Sequence, residues 1–124
     1  MIRMIIKGET PAKKNSKIWT RSGKLIPGKK YQEWHKEALK QVEDQKKYIQ
    51  KLPGDREVII RLDFVHGDQR RRDSDNGTSS ILDLLVDAGI IADDKWQIVR
   101  QLHVSNTYEK NDPMCIICIE PYCA

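Results

Sequence analysis

The apolar residues of this chain change period from two to about three and a half and back again, twice, and that alternation limits the available folds more than any other feature. Ile2, Met4 and Ile6 alternate with Arg3, Ile5 and Lys7, predicting a short strand that Gly8 and Pro11 terminate. From Lys29 to Leu52 the positions Tyr31, Trp34, Ala38, Leu39, Val42, Ile49 and Leu52 recur at helical spacing, with Pro53-Gly54 as the stop. Period two returns from Glu57 to His66, where Val58, Ile60, Leu62 and Phe64 predict a central strand. Asp75-Asn76 are good N-cap residues for a second helix through Ile81, Leu82, Leu84, Leu85 and Ala88, and Gly89 suits its C′ position. Beyond Asp93-Asp94, Ile98, Arg100, Leu102 and Val104 alternate again, and Asn111-Asp112-Pro113 turns the chain into a last apolar segment, Met114 to Ile119. Ahead of the first helix, Ile18-Trp19-Thr20-Arg21 and Lys24-Leu25-Ile26 flank Ser22-Gly23 as the arms of a small hairpin. The order β-α-β-α-β-β predicts an α+β fold, with two helices on one face of a mixed sheet of about four strands. With 124 residues, 39% of them apolar, residues 1–124 are expected to build one core and one domain.

The longest apolar stretch, around Ile81 to Ile91, is broken by aspartates and falls short of the roughly 20 residues that cross a bilayer. The N-terminus lacks an apolar run followed by a small-residue cleavage site, so the expectation is a cytoplasmic protein without a membrane partner. Cys115, Cys118 and Cys123 are an odd number near one end, which argues for reduced thiols. Cys115 and Cys118 have the spacing of zinc ligands, with His103 nearest in sequence, yet no second such pair completes a tetrahedral set. Strand residues, one of them buried, are the preferred reading.

Charge divides the chain in two. Met1 to Lys51 holds 14 Lys and Arg against 5 Asp and Glu, whereas Leu52 to Ala124 holds 8 against 13. Between Lys7 and Lys30 eight cations meet one acid, Glu9, with Trp19 and Tyr31 interleaved, a strip suited to phosphates. Within it Lys13, Lys14, Lys17 and Arg21 are candidate backbone contacts, Asn15 a contact to backbone or base, and Trp19 either a core residue or a stacking partner for an unpaired base. Arg70, Arg71 and Arg72 extend the same chemistry into the acidic half.

The chemistry itself concentrates in Arg70-Arg71-Arg72-Asp73-Ser74-Asp75-Asn76 and in Asp93-Asp94. In extended backbone Asp73 and Asp75 project to the same side, and Asp93-Asp94 follows the short helix that comes next. Folding that returned Asp93 and Asp94 to the first pair would gather four carboxylates whose repulsion a divalent cation would relieve, and hard oxygen donors favour Mg²⁺ or Mn²⁺. Taken singly these residues have ordinary roles: Asp75 as a helix cap, Asp73 as a partner of Arg71 or Arg72, and Asp93-Asp94 as a turn. Their joint arrangement beside many cations points to phosphodiester chemistry.

Arg71-Arg72-Asp73-Ser74-Asp75-Asn76, Ile81-Leu82-Asp83-Leu84-Leu85 and Ala88-Gly89-Ile90-Ile91-Ala92-Asp93-Asp94, with the early Pro11-Ala12-Lys13-Lys14-Asn15-Ser16, resemble the RusA-type Holliday junction resolvases, small prophage-associated endonucleases. The resemblance covers nearly the whole chain. It implies a homodimer that cuts four-way DNA junctions with Mg²⁺, for which Mn²⁺ substitutes. Asp73, Asp75 and Asp94 would be the catalytic residues, and Asp93 would join them around the metal. Where the family commonly carries a functional lysine, four residues after the second aspartate of the pair, this chain has Ser79; Lys95, Lys13 or Lys14 are the candidates to supply that cation. The rival readings are a noncatalytic junction-binding descendant and, last, a zinc-binding regulator built on Cys115, Cys118, Cys123 and His103.

Overall fold

A computed structural model describes residues 1–12 and 17–123, apart from the side chains of Lys17 and Pro27. Its elements run β1 (Ile2–Lys7), β2 (Lys17–Trp19), β3 (Leu25–Pro27), α1 (Lys29–Lys46), β4 (Val58–His66), α2 (Thr78–Asp87), β5 (Val99–Tyr108) and β6 (Met114–Pro121). β1, β6, β4 and β5 lie side by side in that order, and β2 and β3 form a separate two-stranded ribbon. β6 is antiparallel to both of its neighbours, while β4 and β5 are parallel and joined through α2. The sheet is therefore mixed, as the element order predicts, and the fold is α+β.

The two-residue repeat puts Met4 and Ile6, then Val58, Ile60, Leu62 and Phe64, then Cys115, Ile117 and Ile119 on one face of the sheet. Ala38 and Val42 from α1 and Ile81, Leu84, Leu85 and Ala88 from α2 close over that face, and all are buried. Complete burial of a Leu or Ile side chain contributes about 1.5–3 kcal/mol, so this single layer of contacts accounts for most of the fold's cohesion. Arg3, Arg61 and Glu120 occupy the opposite face, where Arg61 and Glu120 stand 3.6 Å apart.

Three expectations are corrected by tertiary context, and the alternation in β5 is found without burial. α1 stops at Lys46, short of Leu52: the Tyr48 and Ile49 amides reach back only three residues, to Gln45 and Lys46, and Ile49 and Leu52 meet the core from irregular chain. α2 begins at Thr78 with Gly77 as its N-cap and no side-chain cap, because residues 74–77 form a turn in which the Thr78 amide bonds the Asp75 carbonyl. Asp75 is therefore neither a helix cap nor part of extended backbone. Leu102 and Val104 alternate as predicted but remain 40% and 37% exposed, since β5 is an edge strand lying beyond the cover of the helices. Trp19 is 72% exposed, which removes the core reading.

Cys115 is buried in the core, and burial, reinforced by Asp63, pushes its thiol far above the ordinary range. Cys118 is three residues along the same strand and so points to the other face. They cannot share a cation, and among the described residues no three His, Cys, Asp or Glu side chains are gathered for one. No helix among the described residues is long and apolar enough to cross a membrane.

Candidate active site

The loop that carries Asp73 and Asp75 leaves the C-terminal end of β4 and enters α2, and its path is fixed by side chains far away in sequence. Glu9, just after β1, accepts hydrogen bonds from the Gly67 amide at 3.2 Å and from His66 Nδ1 at 2.8 Å, and pairs with Arg72 at 3.4 Å. Arg72 also pairs with Asp68 at 2.9 Å, and with its side chain only 14% exposed it is turned into the loop. The Arg70 amide and the Arg72 guanidinium bond the Asp68 carboxylate and hold its pKa below the ordinary value. From the sheet edge, Asn106 Nδ2 donates to the Ser74 carbonyl at 2.8 Å while its Oδ1 lies 2.8 Å from His66 Nε2. One network thus connects β1, β4, β5 and the loop, and it leaves Asp73 and Asp75 exposed.

The start of α2 is packed with equal care. A Cβ on Gly77 would lie 2.8 Å from Thr10 Cγ2 and 2.9 Å from Phe64 Cε1, so only glycine fits between them. Buried Ser80 donates to the Pro11 carbonyl at 2.6 Å, which pins Thr10, Pro11 and Ala12 beneath the first turn. The basic segment therefore departs from Ala12 beside the aspartate loop. Lys13, Lys14 and Asn15 lie outside the described residues, and Lys17 is placed only by its backbone, in β2.

Asp93 and Asp94 lie past the other end of α2. Gly89, at φ +71°, closes the helix: its amide bonds the Val86 carbonyl, the Ile90 amide bonds the Leu85 carbonyl, and Ile91 bridges to Gly54 ahead of β4. Both aspartates are exposed. Loss of hydration, then hydrogen bonding and repulsion from Asp93, then the charge of Asp83 raise the Asp94 carboxyl above its ordinary value. Asp83, within α2, is a residue that reading the sequence for the site missed, because its nearness to Asp94 depends on how the chain folds back after the helix. Glu9, His66 and Asn106 carried no signal either, because only folding brings them to the loop.

Asp73 and Asp75 thus precede α2 and Asp93 and Asp94 follow it, and of the predicted carboxylates Asp94 is the one whose charge is felt by neighbours, Asp93 and Asp83. Arg70 is 78% exposed, and Arg71, Arg21, Lys95 and Ser79 are also exposed. The donor set is entirely carboxylate oxygen at solvent-facing positions, which suits a hard divalent cation. Exposed cations beside exposed carboxylates on open loops suit a polyanion too large for a cavity.

A comparison with curated proteins found no match. The model of one protein family, described as endodeoxyribonuclease RusA, matches residues 8–120, a span that takes in the braced aspartate loop, both helices and Asp93-Asp94. On that match over most of its length, the chain belongs to the RusA endodeoxyribonuclease family.

Proposed function

We propose that this protein is a divalent-metal-dependent endonuclease that cuts four-way DNA junctions as a homodimer. The observation that carries this reading is the braced loop: Glu9, His66, Arg72 and Asn106 hold Asp73 and Asp75 outward beside exposed Arg70 and Arg71, in a chain of an endodeoxyribonuclease family. Asp73, Asp75 and Asp94, with Asp93 beside it, are the carboxylates that would hold Mg²⁺ or Mn²⁺. Bound there, the metal supplies a water of lowered pKa and neutralises charge at the phosphate. Arg70 and Arg71, with Lys13, Lys14, Lys17 and Arg21, bind backbone phosphates, so affinity falls steeply with salt.

The two sheet edges support the dimer. β1 is covered: Gln45 exchanges two hydrogen bonds with the Ile5 backbone, at 2.9 and 2.8 Å, and Gln41 does the same with Lys7, at 2.7 and 3.3 Å. β5, a 10-residue strand, has no such cover among the described residues. Antiparallel pairing of β5 with its copy across a two-fold axis would bury Leu102 and Val104 and remove the open edge. It would also set the Asn106 end of one strand, which holds Ser74, beside the Val99 end of its partner, which follows Asp93 and Asp94. Each metal site would then take Asp73 and Asp75 from one protomer and Asp94 from the other, which accounts for the separation of the two groups within one chain.

Cleavage of a labelled synthetic four-way junction, with a matched linear duplex as control, in Mg²⁺, Mn²⁺ and EDTA tests the reading. Paired nicks confined to the junction and abolished by EDTA are the expected result. Tight, salt-sensitive binding without nicks would favour a noncatalytic junction-binding protein, a second reading that rests on Ser79, whose exposed hydroxyl offers the phosphate a neutral hydrogen bond in place of a charge. Equal binding of junction and duplex would overturn both.

A further inference from the structure

The β2–β3 ribbon carries apolar surface that serves no core. β2 pairs antiparallel with β3 so that Trp19 opposes Leu25 and Ile18 opposes Ile26. Trp19 and Leu25 therefore share one face beside the turn, and they are 72% and 47% exposed; Ile18, on the other face, is 48% exposed. The ribbon is a sheet of its own, unpaired with the four-stranded sheet. Its tip is ordered: the Thr20 amide bonds the Lys24 carbonyl at 2.8 Å, the Gly23 amide bonds the Thr20 carbonyl at 3.0 Å, Thr20 Oγ1 accepts from the Lys24 amide at 3.1 Å, and the Thr20 and Ser22 hydroxyls meet at 2.9 Å. An aromatic ring held out on a preformed turn loses little freedom when it binds.

Charge identifies the ligand. From Thr10 to Gln32 the sequence has seven Lys and Arg and no Asp or Glu. Arg21 and Lys24 are exposed in the turn next to Trp19, and Lys29 and Lys30 are exposed just beyond the ribbon. An exposed aromatic face with the exposed cations Arg21 and Lys24 close by in the chain is the chemistry of a platform for nucleic-acid bases. In a continuous duplex every base face is covered by its neighbours, whereas a branch point interrupts the stack and uncovers faces. Phosphate contacts position a protein on the backbone and do not by themselves detect an uncovered base.

We propose that the ribbon is a base-stacking arm: Trp19, backed by Leu25, stacks on a base uncovered at the branch while Arg21 and Lys24 hold the flanking phosphates, and this contact gives the protein its preference for branched over linear DNA. The assignment rests on the junction-cleaving reading and supplies its specificity element. The test uses the full chain, a four-way junction with 2-aminopurine at the branch point, the same base inside a linear duplex, and the variants Trp19→Ala and Trp19→Phe. Trp19→Ala is expected to lose about tenfold or more in affinity for the junction and none for the duplex. It should also lose the change in 2-aminopurine fluorescence that the wild type produces, while Trp19→Phe keeps most of both. Unchanged junction binding by Trp19→Ala, an equal loss on both DNAs, or a change in oligomeric state by sedimentation would each overturn the arm, the last by making the ribbon a contact between copies. If the wild type does not distinguish junction from duplex, the junction-cleaving reading fails. Trp19-dependent quenching of 2-aminopurine in a single-stranded gap would still support stacking by the ribbon.

Discussion

Asp94 shows at the level of one side chain how neighbouring carboxylates destabilise the protein that carries them. Desolvation, Asp93 and Asp83 all favour its protonated form, so its carboxyl titrates above the usual value. In the unfolded chain that carboxyl titrates near 3.9. The ionised form therefore weakens the fold at neutral pH, and the cost disappears as pH falls below the carboxylate range. Asp94→Asn should raise the melting temperature at pH 7.5 by about 1–2 °C in metal-free buffer, a small effect because the group is exposed, and the gain should vanish toward pH 4. The same variant should lose nicking by a factor of about 1,000 while keeping its junction affinity. Lower stability together with lost nicking would assign Asp94 a structural role. Calorimetry at the two pH values, a nicking assay on labelled junction and a gel-shift titration measure the three quantities. Asp73→Asn should also lose nicking with binding retained.

Between β4 and α2, one element hands the chain to the next through residues of no catalytic chemistry. Gly77 is the tightest point, with Thr10 on one side and Phe64 on the other. Gly77→Ala would overpack this contact at a cost of about 1–3 kcal/mol, read as a lowered urea midpoint with an unchanged slope. Because Thr10 and the first turn of α2 would shift together, the variant should lose more nicking than its stability at assay temperature explains. Nicking at wild-type rate in the folded variant would show that the aspartate loop does not depend on this packing. At its other end α2 closes on Gly89 as its sequence predicts, since the two amide bonds that terminate the helix are local and need no distant partner. The start depends on Thr10, Pro11 and Phe64, and no local signal reported it.

At the scale of the whole molecule, the covered β1 edge and the open β5 edge make the sheet asymmetric, and the proposed two-fold pair of β5 strands would use that asymmetry. Mixing Asp73→Asn with Asp94→Asn protein tests whether each site takes residues from two chains. If it does, heterodimers carry one site with both lesions and one intact site, so random reassortment should restore about a quarter of the wild-type nicking rate, as single nicks in place of paired ones. A mixture as inactive as its components would place each site within one chain. Val104→Lys, on the strand edge, should convert dimer to monomer by sedimentation equilibrium and abolish nicking with the fold retained.

The sequence by itself determined what depends on neighbours along the chain. Period two in Val58–Phe64 and Cys115–Ile119, period three and a half in Tyr31–Val42 and Ile81–Ala88, and the turns between them are local preferences, and with the element order they specify an α+β fold with both helices on one face. The charge division and the identity of the carboxylates were equally legible, because chemistry resides in residue type. Only the tertiary structure decided where those groups stand. It placed Asp73-Asp75 and Asp93-Asp94 at opposite ends of α2, turned Arg72 inward onto Glu9 and Asp68, left Leu102 and Val104 exposed on an edge strand, and put Trp19 in solvent. Each of these outcomes depends on which segment packs beside which, and contacts between residues as distant as Glu9 and Arg72, or Ser74 and Asn106, leave no trace in local pattern.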